Sequence, residues 1–303
     1  MWKERKPMRG WLRVILFILP FFIFVAISQI LAGITLGMKM PARHFTPNLF
    51  QSTVFTLYML AATFGVVAIF RRWVDRESFK SLGFGLNNFV RESTTGILLG
   101  IGMITLGFVL LLIMHEINFM GTNPQAYGIL LSVLLFVAVA FNEELIFRGY
   151  ILGNLMLSMN RWVALLVSSV FFSLLHMGNA HFTLLGFFSI LFAGLLLGLP
   201  YIFTRSLWLP IALHFSWNYF QGTIFGFSVS GNAEYSLITQ TRTSDTLLNG
   251  GEFGFEGSIL AIVFLAIAIG ILSVNYLRKE KLMVAAVVSE PETTIEQVST
   301  DEP

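Results

Sequence analysis

Apolar residues in this chain gather into continuous runs rather than isolated stripes, and most runs reach the roughly 20 residues that span a bilayer's hydrocarbon core. Eight emerge: Val14 to Met38, Leu49 to Phe70, Thr95 to Met114, Tyr127 to Phe147 or beyond, Val163 to His176, Phe182 to Thr204, Leu207 to Gln221, and Ser258 to Leu277. The fifth and seventh are short. The pattern predicts an all-α, polytopic transmembrane helix bundle of about eight spans. The first run is too long for a signal-peptide core and lacks a clear small-residue cleavage site, so it reads as a retained helix. Residues 1–283 form the expected transmembrane domain, with a candidate catalytic core at about 127–222. Residues 284–303 carry acids and no base, and are expected to be a disordered acidic tail.

Charge fixes an orientation for these spans. Lysine and arginine cluster at Lys3, Arg5, Lys6, Arg9 and Arg13, then at Arg71, Arg72, Arg76, Lys80 and Arg91, then at Arg161, Arg205, Arg278, Lys279 and Lys281. With eight spans these all fall on one side, and the positive-inside rule places both termini in the cytoplasm. Lys39, Arg43 and Arg242 dissent, and a seven-span count would break the agreement. The composition is 55% hydrophobic and 12% charged, against about 25% charged in a soluble domain. The expected location is therefore a cell membrane, crossed many times; the narrower reading, the bacterial cytoplasmic membrane, rests on the resemblance given below. A net charge of +2, spread over short clusters, argues against nucleic acid as a partner. Cysteine is absent, which excludes a disulfide, a thiol nucleophile and cysteine-ligated metal, and leaves the compartment open.

Between the spans, Ser78 to Asn88 places Phe79, Leu82, Phe84 and Leu86 among basic and glycine residues, as either an interfacial segment or a tethered loop. The connection from Ser228 to Gly257 is polar and glycine-bearing. Gly96 with Gly100, and Gly194 with Gly198, have the small-xxx-small spacing of close helix packing. Pro20 lies inside the first span and Pro210 near the start of the seventh, where a missing amide is tolerated.

Few polar residues remain inside the apolar runs: chiefly Glu143, Glu144, Arg148, His176, His214 and Asn218. An ionisable group at the centre of a bilayer helix costs roughly 2.5–3.5 kcal/mol on insertion scales, so such groups need partners or a function. On a helix Glu144 and Arg148 share a face, whereas Glu143 points about 100° away. Glu144 is then the natural partner of Arg148, and Glu143 stands free as a general base. His214 and Asn218 also share a face and can donate to a developing oxyanion. His176 can help Glu143 orient or deprotonate water. Phe172 packs beside it, and His44, His115 and His181, at loops or span ends, receive no role.

With Glu143-Glu144-x-x-x-Arg148, Phe172-x-x-x-His176 and His214-x-x-x-Asn218 in order, the chain resembles the CPBP family of intramembrane endopeptidases, which contains CAAX prenyl-protein endopeptidases and bacterial Abi-type proteins. The stretch from His214 to Gly222 and the glycine-rich Gly250 to Gly257 also look like bacterial members. The resemblance implies that Glu143 and His176 activate water, that His214 and Asn218 steady the oxyanion, and that Glu144 and Arg148 support them. It further implies a membrane-associated peptide or protein substrate.

Other readings stand beside it. Glu144 and Arg148 could be a structural pair alone. Two histidines and a carboxylate are adequate zinc ligands; no cofactor is expected, with a divalent metal such as zinc left open, because His-Glu-x-x-His is absent and the histidines come from different spans. A non-catalytic immunity or scaffold protein, or a transporter, is the alternative from another class. Depth adds a condition: at about 1.5 Å per residue, Glu143 and His176 meet only if the fourth helix runs past Arg148 to about Leu155 or Leu157, or the fifth begins deep. The resulting cavity is expected to open toward the cytoplasm.

Overall fold

Eight helices follow the eight apolar runs: α1 (Gly10–Thr35), α2 (Leu49–Asp75), α3 (Phe89–Ile113), α4 (Ala126–Leu155), α5 (Arg161–Leu175), α6 (Leu184–Thr204), α7 (Trp208–Asn218) and α8 (Ile259–Ser289). The computed structural model describes residues 8–38 and 46–289. Lys3, Arg5, Lys6, Lys39, Arg43, His44 and the tail beyond 289 lie outside the described residues. Seven of the helices are long and apolar enough to cross a membrane. The other, α7, is an 11-residue α-helix continued by six residues of π-helix, Tyr219–Ile224. The last helix continues to Ser289, past the boundary drawn at 283.

Local sequence sets the helix ends. Asn48 and Gln51 form a capping box at the start of α2, each side chain accepting from the other's backbone amide at 3.0 Å. Asn160 caps α5 through Trp162 N, and Thr183 caps α6 through Gly186 N. Arg76 and Arg205, both in the left-handed region, terminate α2 and α6.

Hydrogen bonds tie the helix ends into two faces. At the face where α1 begins, here the proximal face, Gly10 N donates to Ser158 Oγ after α4, Leu207 N donates to Gly83 O, and Arg161 grips Glu280 of α8 with two bonds of 2.8 and 2.7 Å. At the distal face Ser52 of α2 donates to Glu234, and Thr243 donates to His115 O. The distal face also holds a feature absent from the all-α expectation, a small antiparallel sheet of β1 (Ile117–Thr122) and β2 (Ile238–Arg242), with Ile117 opposite Arg242 and Thr122 opposite Ile238. Each strand is short and sits in a loop, so neither disturbs the apolar pattern of the spans.

Close packing uses the expected glycines. A Cβ on Gly96 would lie 2.6 Å from Leu209 O of α7, and one on Gly100 would overlap Ser216 Oγ, so α3 and α7 touch backbone to backbone. Gly194 of α6 lies against the backbone and side chain of Ser169 of α5, and Gly198 makes room for the Leu165 side chain.

Helix α4 continues past Arg148, as depth requires, but does so as a π-helix over Leu145–Leu152, all eight residues buried. The wider turn changes where its carbonyls point, and in an apolar interior they need partners. Ser168 Oγ donates to Phe147 O at 3.1 Å and Asn154 Nδ2 to Tyr150 O at 3.0 Å; Tyr201 OH reaches Gly149 O and Leu82 O. Toward the proximal face this segment meets an aromatic layer: Phe17 stacks on Tyr150 at 4.2 Å and meets Phe70 edge-on at 5.2 Å. Below it Asp75 lies between Arg13 and Arg71, at 3.4 and 3.0 Å.

The segment from Ser78 to Asn88 packs onto the protein. Phe79 stacks on Phe64 and Phe84, Leu82 is buried, and of its four large apolar residues only Leu86 is strongly exposed. A single short turn at Phe79–Leu82 brings three of those side chains to the same wall of the protein.

Candidate active site

The π-helical stretch begins one residue after Glu144, so the two glutamates close the regular part of α4 with their side chains diverging. Glu144 is fully buried and its Oε1 accepts two hydrogen bonds: from Arg148 Nη1 at 2.7 Å and from His214 Nδ1 of α7 at 2.8 Å. Arg148 is held further by Gly194 O at 3.2 Å and by the face of Phe172, 4.5 Å from the ring centre. Glu144 thus joins the arginine to a catalytic candidate, which spacing along one helix did not reveal. Phe172 packs between Arg148 and the ring of His176, as expected of an aromatic one turn earlier.

Glu143, 22% exposed at its side chain, faces a cavity of about 640 Å³. Its Oε2 lies 3.8 Å from His176 Nε2 and 3.8 Å from His214 Nε2. The opposite nitrogen of each ring is occupied: His176 Nδ1 is 2.8 Å from Phe172 O, and His214 Nδ1 bonds Glu144. Donation by Nδ1 to those oxygens leaves both Nε2 atoms turned to Glu143. A separation of 3.8 Å exceeds a direct hydrogen bond but lets one water touch all three groups. Asn218, buried one turn after His214, completes this part of the cavity wall. All six predicted residues are therefore in one constellation, four on the cavity and two behind them. Among the described residues, no group of three or more His, Asp or Glu side chains is arranged to hold a metal ion.

Among the further polar groups that line the cavity, Asn142, Glu256 and Glu234 were not taken as site candidates from the sequence. Asn142 precedes Glu143 and accepts from Thr63 Oγ1 of α2 at 2.6 Å. Thr63 in one apolar run and Asn142 in another were the available signal. Glu256 takes Trp217 Nε1 at 3.1 Å and Ser230 N at 2.9 Å, which anchors the distal loop to α7. Glu234, bonded by Ser52 at 2.8 Å, lies nearest the surface. Burial pushes the Glu234 carboxyl above its usual range, with the Ser52 hydrogen bond opposing.

The expected opening toward the basic side is corrected by the cavity's course. Its wall runs outward through Ser52, Asn179, Ser230 and Glu234 to Pro47 and Asn232, which are exposed on the distal face. Toward the proximal face the π segment and the Phe17 and Tyr150 stack close it. Helical depth alone could not show which end the side chains block.

An integral, multi-pass membrane protein with a carboxylate and histidine centre on the wall of a chamber of about 640 Å³ is the class that the fold and site define. Residues 124–220 match the family described as Rce1-like, type II CAAX prenyl endopeptidase. The matched stretch is 97 of the chain's 303 residues and contains Glu143, Glu144, Arg148, His176, His214 and Asn218. No curated protein and no solved structure matches the chain.

Proposed function

We propose that the protein hydrolyses a peptide bond of a membrane-associated substrate, using a water held between Glu143 and His176. The observation that carries this reading is the pair of equal 3.8 Å separations from Glu143 Oε2 to the two Nε2 atoms. Glu143 takes a proton from the water as its oxygen adds to the carbonyl carbon; the carbon–nitrogen bond then breaks, and Glu143 returns the proton to the leaving amine. His176, with Nδ1 turned to a carbonyl, offers its Nε2 lone pair to orient that water. Asn218 donates its amide N–H to the developing oxyanion, and His214, doubly protonated with its Nδ1–H on Glu144, donates Nε2–H to it; Glu144 with Arg148 holds His214 in place. The bacterial cytoplasmic membrane is the proposed location.

Comparing membrane peptides from cells carrying the wild-type protein and Glu143→Gln tests the reading. An uncleaved precursor should accumulate with the variant; identical peptide sets would point to a non-catalytic immunity or scaffold protein instead. The same route predicts that a membrane-permeant chelator leaves cleavage largely intact. Activity lost on chelation and restored by zinc alone would make His176 and His214 ligands.

A further inference from the structure

The proximal and distal faces differ in charge as well as in closure. Arg9, Arg72, Arg76, Lys80, Arg91 and Arg205 all sit at proximal helix ends or in the segments between them, together with the basic group at 278–281 on α8. On the distal face, among the described residues, Arg242 is the one lysine or arginine, and it is paired with Asp245 at 2.9 Å. Lys39 and Arg43 lie outside the described residues. The asymmetry strongly favours the proximal side as cytoplasmic. The hydrogen bonds joining α1 to α4, α5 to α8 and α7 to the segment after α2 put these charges on one physical surface.

The cavity opens on the other surface, through Pro47, Asn232 and Glu234, and is closed toward the basic one. We propose that the site is served from the side of the membrane away from the cytoplasm, and that its substrates are peptide segments presented there: the outward end of a membrane-spanning segment, or a peptide already exported. The substrate class rests on the peptidase reading; the assignment of the face does not. A chain end in the cytoplasm would have to cross the aromatic layer and the Arg13, Asp75 and Arg71 cluster to reach Glu143.

The absence of cysteine makes the test direct. Single-cysteine forms of the full chain, Ala233→Cys beside the cavity mouth and Glu77→Cys on the proximal face, both exposed positions, are treated in intact cells with a membrane-impermeant maleimide. Ala233→Cys should label in intact cells and Glu77→Cys only after permeabilisation. Labelling of Glu77→Cys in intact cells, alone or with Ala233→Cys, would overturn the proposal. Exposed Ser244→Cys gives a second distal reporter should the first variant fold poorly. Labelling does not depend on catalysis, so identical peptides from wild-type and Glu143→Gln cells would remove the peptidase reading while leaving the face assigned. Where precursors do accumulate, cuts should map to their outward ends; cuts at cytoplasmic ends would sink the substrate class.

Discussion

Glu143 and Glu144 are adjacent in sequence yet perform separable tasks. Glu143→Gln should lower turnover about 10²–10⁴-fold, the usual contribution of a general base, while the yield of monodisperse detergent-solubilised protein stays normal. Glu144→Gln leaves Arg148 without its counter-charge, a defect worth roughly 3–5 kcal/mol in buried pairs. It should lower folded yield and activity together. Replacing Glu144 and Arg148 together by neutral residues of similar size should recover yield but not turnover, because His214 Nδ1 would still lack the carboxylate it bonds. A third carboxylate, Glu234, yields a pH effect. Its folded-state pKa is raised, so its contribution to stability is fully present below the ordinary carboxylate range and is lost as pH rises through the raised value. Glu234→Gln should therefore melt above wild type at pH 8, with the gap closing by about pH 4, in a thermal scan of purified protein.

At the scale of elements, the sequence makes the spans legible because burial in lipid demands long apolar runs, and that demand is written in every residue. The roles of Gly96 and Gly100 were equally legible, since only small side chains allow two helix backbones to touch. Gly100→Val should drive α3 away from α7 and displace His214 and Asn218 with it, reducing turnover and lowering the melting temperature by several degrees. Gly102→Val, where nothing lies within 4 Å of the added Cβ, is the matched control in both assays. The π-helix in α4 was hidden, because its carbonyl partners Ser168, Asn154 and Tyr201 are scattered over 48 residues of sequence and meet only in the fold. The same reason hid the link from Glu144 to His214: four-residue spacing reports neighbours on one helix and says nothing about the helix opposite. The β1 and β2 pairing was likewise a contact between loops far apart in the chain.

For the whole molecule, one-sided closure sets the relation of chamber to membrane. The sequence located the polar cluster and the basic surface, but which end was stoppered depended on Phe17 from α1 meeting Tyr150 from α4, a contact between runs more than 100 residues apart. That stopper has a role beyond access. A water-filled chamber cut into a bilayer shortens the insulating path left for protons, and here the remaining insulation is the Phe17, Phe70 and Tyr150 layer with the ion cluster beneath it. Replacing Phe17 by alanine would open a void of aromatic size in that layer. Vesicles reconstituted with Phe17→Ala should then dissipate an imposed proton gradient faster than wild-type vesicles, as read by an entrapped pH dye; equal decay would show that insulation resides elsewhere. The layer would thus make this a membrane protein that admits water to its chemistry while keeping the cell's electrical barrier intact.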